Sequence, residues 1–321
     1  MYSADVESQP SLFLVYREST HFGLALANGS EAVSLQHLID GPGAAKRDAT
    51  PDHAESAHNT PGAREDHGMP APSPANSTRG YGRIATIEAR PQAVSLDTSA
   101  CAVLVIDMQN DFGSPGGMFA RAGIDISMIQ RAVEPTRRVL ATARRHAIPV
   151  IYLKMAFKPD LSDAGPVHSP NLSRHQLLGV GTEVPAPNGS SSRILVRDTW
   201  NTDIVEELEP APNDILLYKH RFSGFFETSL DNVLKGLGVT HLVVTGCTTS
   251  ICVESTIRDA MFRDYRCVLL EDCTGEPIGH GMSRSNHEAS LLSIQMLLGW
   301  VSSSEQFIRA LEDKAQSAVI P

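Results

Sequence analysis

Continuous apolar segments rich in β-branched residues recur along the chain and alternate with stretches of helical periodicity. The clearest segment is residues 101–106, Cys-Ala-Val-Leu-Val-Ile, in which no position carries a charged or amide side chain. An apolar run without alternation is typical of a parallel strand that is buried on both faces. Similar strands are predicted at residues 148–153, 214–218, 241–244, 267–271 and 300–301. The repetition of strand, helix and strand predicts an α/β fold: an open, mainly parallel six-stranded sheet with helices on both faces, in three α/β/α layers.

Helices are predicted between these strands from apolar residues that recur near a period of 3.6. They cover residues 127–146, 204–208, 230–237, 251–263, 285–297 and 304–314. Pro135 is expected in an early turn of the first helix or at a kink. Residues 154–199 are rich in Pro, Ser and Gly, which predicts a long irregular section of the kind that usually carries function.

The first 85 residues differ in composition from the rest of the chain. Residues 41–77 contain almost no large apolar side chain, so they cannot bury enough surface to offset the entropy lost on ordering. We therefore expect an N-terminal extension over residues 1–85, which includes a disordered linker. One folded domain is expected over residues 86–321.

Charge, cysteine content and hydropathy argue against several classes of protein. The net charge of −10 disfavours nucleic acid or an anionic membrane as a partner, since both bind clustered Lys and Arg. Five cysteines without the spacing of a disulfide framework indicate reduced thiols. No apolar run approaches the length of a membrane span, and residues 1–5 lack the basic start of a secretory signal. These features predict a cytoplasmic protein.

Three predicted strand ends carry side chains suited to nucleophilic chemistry. Asp107 follows the first strand, Lys219 follows the third, and Cys252 lies after the fourth in the first turn of a predicted helix. The carboxyl ends of parallel strands meet at one edge of a sheet, where chemistry gathers. A helix N-terminus stabilises a thiolate, so we expect a lowered pKa for Cys252. Judged singly, each residue has a structural alternative, namely a packed thiol, a helix-capping carboxylate or a surface lysine.

The motifs around these three residues resemble those of the isochorismatase-like cysteine hydrolases. They are residues 105–112 (Val-Ile-Asp-Met-Gln-Asn-Asp-Phe), Lys219, and residues 246–253 (Gly-Cys-Thr-Thr-Ser-Ile-Cys-Val). Further matches occur at residues 89–93, 169–171, 199–200, 221–226, 253–256, 258–259, 270–272 and 299–302. The resemblance covers the whole body of the chain and identifies residues 86–321 as a hydrolase domain of this type. Within the superfamily, the chain is most similar to the ureidoacrylate amidohydrolases, with the biuret hydrolases next.

The resemblance implies a catalytic triad. In it Cys252 is the nucleophile, Asp107 is the general base and then the acid, and Lys219 is the third member. A cis peptide bond is implied between Cys247 and Thr248, with the backbone N–H groups of Thr248 and Cys252 as oxyanion donors. The implied reaction is cleavage of a C–N bond in a small ureido, carbamoyl or amide compound through a thioester, with release of ammonia.

Four residues are implied to contact the substrate. Asn171, Trp200 and Phe222 match positions that line the pocket of the ureidoacrylate group, and Gln109 is an additional substrate-binding candidate. Asn171 is expected to hydrogen-bond the ureido group, while Trp200 and Phe222 wall the pocket. Phe222 stands where that group tends to have tyrosine, so a hydroxyl donor is missing and the substrate stays open.

Cofactors, assembly and alternative functions follow from the same comparison of motifs. No metal or other cofactor is expected, because residues 154–158 replace the Asp-x-His motif of the metal-binding nicotinamidases. A homo-oligomer, either a dimer or a tetramer, is expected by resemblance. Alternatives are a biuret or N-carbamoyl compound hydrolase, an isochorismatase-type vinyl-ether hydrolase, and a non-catalytic binding protein. The vinyl-ether enzymes typically lack the nucleophilic cysteine, and a binding protein needs no complete triad, so both are disfavoured.

Overall fold

The computed structural model describes residues 83–279, 283 and 285–313. Most of the predicted N-terminal extension therefore lies outside the described residues, and its disordered linker stays a prediction. The first described strand, Ile84–Ile87, spans the predicted boundary at residue 86.

The strands form one six-stranded sheet and two small antiparallel pairs. In chain order they are β1 (Ile84–Ile87), β2 (Val94–Asp97), β3 (Cys101–Ile106), β4 (Val150–Met155), β5 (Glu183–Pro185), β6 (Ser191–Arg193), β7 (Ile215–Lys219), β8 (His241–Cys247), β9 (Arg266–Gly275) and β10 (Gly299–Ser302). The main sheet has the order β10-β9-β8-β3-β4-β7, and all its neighbours run parallel. The six-stranded parallel sheet predicted from the apolar segments is confirmed.

Helices cover both faces of this sheet. The α-helices are Asn110–Gly113, Met118–Arg121, Ser127–Arg145, Pro170–Leu177, Leu230–Gly236, Glu254–Met261, Asn286–Ser293 and Ser304–Glu312, with π-helical turns at Thr249–Val253 and Ile294–Leu298 and 3₁₀ turns at Thr98–Ala100, Trp200–Thr202 and Glu206–Leu208.

Alternate residues of β3 enter two separate cores. Val103 packs in the core of helices Ser127–Arg145 and Ser304–Glu312, and Leu104 in that of helices Leu230–Gly236 and Glu254–Met261. No helix in the described ranges is long and apolar enough to cross a membrane.

The predicted irregular section contains more regular structure than its composition indicates. Helix Pro170–Leu177 begins at Ser169, whose hydroxyl accepts a hydrogen bond from the Leu172 N–H, and Pro170 occupies the first helical turn. A serine followed by proline is a helix-start signal that the overall richness in Pro and Ser concealed. The short pair β5–β6 lies in the same section. Pro135 lies inside helix Ser127–Arg145, beyond the early turn in which it was expected.

The order of strands sets the position of the site. From the central β3 the chain winds outward to β4 and β7, and then crosses back to β8 and winds the other way to β9 and β10. In open α/β sheets the crevice at such a reversal receives ligands at the carboxyl ends of the strands. Gly246 allows β3 and β8 to approach closely there, because a Cβ at this position would lie 2.0 Å from the Ile106 carbonyl oxygen and its φ is +124°.

Candidate active site

Asp107 is held in place directly beyond β3. Its side chain is fully buried, and its Oδ1 accepts a hydrogen bond of 2.9 Å from the Met155 N–H at the end of β4. Its own N–H donates to the Leu153 carbonyl oxygen at 2.9 Å. The φ of Asp107 is +54°, in the left-handed region that residues other than glycine seldom adopt and that is common at functional sites. These contacts aim the carboxylate across the sheet edge.

Lys219 reaches Asp107 from the end of β7, with β4 between them in the sheet. Its Nζ lies 2.7 Å from Asp107 Oδ2, and both side chains are almost completely buried. The ammonium also donates to the Arg221 carbonyl oxygen at 3.2 Å. Burial acts to lower the pKa of Lys219, but the interactions of Lys219 with Asp107 and Cys252 outweigh this effect and raise the pKa, so Lys219 stays protonated.

Cys252 completes the cluster from the π-helical turn that follows β8. Its thiol interacts electrostatically with both Asp107 and Lys219, and the residue is 6% exposed. Burial raises the pKa of the Cys252 thiol; Lys219 opposes this shift, and the negative charge of Asp107 adds to it. The lowered pKa expected from the helix N-terminus is therefore wrong, because exclusion of water penalises the thiolate more than the turn stabilises it.

Alkylation tests this protonation state. We expect iodoacetamide to modify Cys252 first, since the other cysteines of the chain are all 0% exposed: Cys101, Cys247, Cys267 and Cys273. Because its pKa is raised, the thiolate fraction and the alkylation rate of Cys252 should climb by about tenfold per pH unit between pH 7 and 9. Mass mapping of peptides from the folded protein gives both results. A rate that stays level over this range would mean a preformed thiolate and would contradict the raised pKa.

A backbone donor without a hydrogen bond among the described residues lies at the start of the same turn. The peptide bond between Cys247 and Thr248 is cis, as the resemblance implies. The Thr248 carbonyl oxygen accepts hydrogen bonds from the N–H groups of Ile251 and Val253, at 3.1 and 3.2 Å. Thr248 is 4% exposed, and within the described part of the chain its own N–H makes no hydrogen bond. An unpaired buried N–H is a donor available to an anionic oxygen.

Of the four predicted substrate contacts, Asn171 and Phe222 lie beside the Lys219 strand end. Asn171 Nδ2 donates to the His220 carbonyl oxygen at 3.4 Å, so its amide borders the residue next to Lys219. Phe222 is 39% exposed, and its ring centroid lies 5.9 Å from that of His175. His175 Nδ1 in turn bonds the Asn171 carbonyl oxygen at 2.6 Å. The sequence analysis missed His175, which the helix start at Ser169 would have placed on a buried helix face.

Gln109 and Trp200, the other two predicted substrate contacts, do not share the surroundings of Asn171 and Phe222. The Gln109 amide is fully buried and donates to the carbonyl oxygens of Met155 and Thr202, both at 3.1 Å, while its Oε1 accepts from the Met155 N–H at 2.7 Å. Gln109 thus shares with Asp107 the N–H that orients the carboxylate. Trp200 lines a groove of about 760 Å³ together with Asn110 and Lys154. Their roles in binding substrate stay predictions.

The region that carries the Asp-x-His motif in the nicotinamidases holds Lys154 here, beside an acidic and an aromatic side chain. Lys154 Nζ lies 3.8 Å from Asp203 Oδ1 and 5.2 Å from the centroid of the Tyr218 ring. Within the described ranges, no three His, Cys, Asp or Glu side chains are grouped as ligands of a metal ion. A reaction without cofactors stays a prediction.

Comparison with known proteins assigns the family. The model of the isochorismatase domain matches residues 101–306, which is more than half of the chain. The chain belongs to the isochorismatase family. A relative in this family, the ureidoacrylate amidohydrolase RutB of Yersinia enterocolitica, is 36% identical over 230 residues, which make up 72% of this chain and 97% of the relative.

Two solved structures are similar to this chain in fold. A cysteine hydrolase from Pseudomonas syringae pv. phaseolicola is 29% identical, with a TM-score of 0.57, and the match covers 68% of this chain and 94% of that protein. An isochorismatase family protein from Desulfovibrio vulgaris is 28% identical, with a TM-score of 0.54, over 67% of this chain and 99% of that protein. The chain is thus an isochorismatase-like hydrolase.

Proposed function

We propose that this isochorismatase-like hydrolase cleaves a C–N bond of a small ureido, carbamoyl or amide compound through a thioester on Cys252. The carrying observation is the 2.7 Å contact between Lys219 Nζ and Asp107 Oδ2, together with the electrostatic interaction of both groups with the Cys252 thiol. A sulfur nucleophile, a carboxylate base and a fixed cation are the parts that acyl transfer to cysteine requires. The activity named for the Yersinia relative supports the same type of bond.

In the first half of the proposed reaction, Asp107 takes the proton of the Cys252 thiol as the sulfur attacks the carbonyl carbon. Burial raises the pKa of Asp107, although Lys219 opposes this shift. The raised pKa makes the carboxylate a stronger base. The electron pair of the C=O bond moves to oxygen, where the free Thr248 N–H donates to it. When the tetrahedral intermediate collapses, Asp107 gives its proton to the leaving nitrogen and the C–N bond breaks. Proton transfer coupled to attack fits a thiol that stays protonated in the free enzyme.

In the second half, water releases the acyl group from sulfur. For a ureido substrate the amine leaves first and a carbamoyl group remains on Cys252. Asp107 takes a proton from the attacking water, the C–S bond breaks, and the thiol regains its proton. The product carbamic acid then decomposes to carbon dioxide and ammonia. Lys219 keeps its charge throughout and stabilises the ionised states of its two neighbours.

Asn171 supports recognition of a substrate with N–H groups. Its Nδ2 donates to the carbonyl oxygens of Ala164, at 2.9 Å, and His220, at 3.4 Å. Its Oδ1 is buried and has no hydrogen-bond partner among the described residues. A buried acceptor without a partner is unfavourable unless a ligand supplies a donor. The terminal NH₂ of a ureido or carbamoyl group is a donor of this kind.

Asn171→Ala is expected to lower kcat/KM for a ureido substrate by about 10- to 100-fold, the effect of removing one buried hydrogen bond. The rate of Cys252 alkylation by iodoacetamide should stay within about threefold of the wild-type rate, because the variant leaves the thiol and its neighbours in place. Steady-state kinetics and peptide mass mapping measure the two quantities. An unchanged kcat/KM would remove Asn171 from the binding site.

A release assay tests the function itself. The C–N substrates are ureidoacrylate, biuret, an N-carbamoyl amino acid and a simple amide. Isochorismate tests the alternative of a vinyl-ether hydrolase. We expect ammonia from at least one C–N substrate. In rapid-quench samples, intact mass should show one carbamoyl or acyl group bound to the wild-type chain and none bound to Cys252→Ser. Hydrolysis of isochorismate alone, or release of ammonia without a bound group, would contradict the proposal. Biuret or the carbamoyl amino acid as the preferred substrate would select the alternative within this class.

A further inference from the structure

A buried carboxylate that the sequence analysis passed over lies at the same edge of the sheet. Glu276 directly follows β9, whose last residue, Gly275, pairs with Cys247 at the end of β8. The side chain of Glu276 is 0% exposed. The rule that singled out Asp107, a carboxylate straight after a buried strand, applies to Glu276 as well. Because Glu276 follows the partner of Cys247, it lies next to the turn Thr249–Val253, which carries Cys252. We call this turn the nucleophile turn.

Among the described residues, the Glu276 carboxylate accepts hydrogen bonds from this turn and from its own loop. Oε2 accepts from both the N–H and the hydroxyl of Ser250, at 2.8 and 2.6 Å. Oε1 accepts from the Ile278 N–H at 2.9 Å. Within the described ranges, no cationic side chain forms an ion pair with Glu276. The carboxylate therefore acts as a cap on the nucleophile turn and not as half of a salt bridge.

The Ser250 N–H is the backbone donor of the turn that bonds to Glu276. Ser250 lies midway between Thr248 and Cys252, and the N–H groups on either side of Cys252, those of Ile251 and Val253, both donate to the Thr248 carbonyl oxygen. Those bonds fix the Thr248–Thr249 peptide group, which adjoins the cis Cys247–Thr248 peptide group that carries the unpaired Thr248 N–H. Because the Ser250 N–H donates its hydrogen bond to Glu276, no carbonyl oxygen of the turn has to rotate to accept it. Without Glu276, a buried N–H would lose its acceptor, and the turn would be free to reorganise.

We infer that Glu276 is a positioning residue that keeps the Thr248 N–H directed at the substrate oxygen. This inference rests on the proposed acyl transfer to Cys252 but not on the identity of the amide. Within the described ranges, no hydrogen bond joins Glu276 to Cys252 or Asp107, so we expect Glu276 to act on the oxyanion and not on the nucleophile. Reactions of Cys252 that form an oxyanion should depend on Glu276, and reactions that form none should not.

Two reagents separate these reactions. The ester p-nitrophenyl acetate acylates a cysteine through a tetrahedral oxyanion, whereas iodoacetamide alkylates it by displacement at a saturated carbon. For Glu276→Ala we expect acylation of Cys252 to slow by about 100-fold, the effect of losing one oxyanion donor, and alkylation to stay within about threefold. Glu276→Gln keeps the size and one acceptor oxygen, and should slow acylation by about tenfold. Both rates are measured at the same pH, and circular dichroism checks that each variant is folded.

Asp272 provides a matched control. Its carboxylate accepts from the Ser304 N–H at 2.8 Å and from the Ser304 hydroxyl, as Glu276 does from Ser250, but it caps helix Ser304–Glu312. Asp272→Asn should leave both rates within about threefold of wild type, because it alters a cap away from Cys252. Equal slowing of acylation and alkylation in the Glu276 variants, or no slowing in either, would overturn the inference. A wild-type chain that is acylated by the ester but releases no ammonia from any C–N substrate would instead count against the proposed function.

Discussion

Replacing Cys252 with serine is expected to abolish ammonia release, with a loss in kcat of at least about 10³-fold. The thiol interacts electrostatically with both Asp107 and Lys219, and a serine hydroxyl is far harder to ionise in this buried cluster. The free energy of unfolding should stay within about 1 kcal/mol of the wild-type value, because the change in size is small. Ammonia release and urea denaturation measure the two quantities.

The matched control for this variant is Cys267→Ala. Cys267 is also fully buried, but it packs in the core beneath helix Glu254–Met261 and contacts neither charged group of the site. It should retain turnover within about threefold of wild type while losing about 1 kcal/mol of stability through a small cavity. Wild-type turnover in Cys252→Ser would remove the thioester from the mechanism.

Asp107→Asn is expected to combine a loss of turnover with a loss of stability. Turnover should fall by about 10³-fold or more, since an amide cannot take the thiol proton. Asparagine still offers an oxygen to the Met155 N–H, but the buried Lys219 ammonium loses its counter-ion. Breaking a buried ion pair from one side typically destabilises a protein by about 3–5 kcal/mol. Steady-state ammonia release and urea denaturation report the two losses separately.

A double variant separates the two effects of Asp107. Adding Lys219→Met to Asp107→Asn removes the unpaired charge and replaces it with an apolar chain of similar length. Stability should return to within about 2 kcal/mol of wild type, because an apolar replacement of a buried pair is often nearly neutral. Turnover should stay lost. If the double variant recovered activity together with stability, Asp107 would be a structural partner of Lys219 and not the general base.

Much of the fold could be predicted because burial of a parallel sheet leaves a strong local signal. The six strands were found from segments without polar alternation, and each lies within a few residues of its predicted position. Elements whose stability depends on neighbours were harder to predict. The π-helical start of the Cys252 segment is one, and helix Pro170–Leu177 is another, since its start signal was hidden in a stretch of loop-like composition.

The sequence by itself determined the three-layer α/β architecture, and it placed Asp107, Lys219 and Cys252 at strand ends, because apolar periodicity and strand boundaries are local properties of the chain. Only the tertiary structure decided that Lys219 crosses β4 to meet Asp107, that Asn171 has an unpaired buried oxygen, and that Glu276 caps the nucleophile turn. Tertiary structure also reversed the expected pKa shift of Cys252, since a helix N-terminus can be recognised in a sequence but the exclusion of water around a thiol cannot. Distances and burial depend on which distant segments pack together, and strand order, unlike strand position, is not encoded in any single stretch of residues.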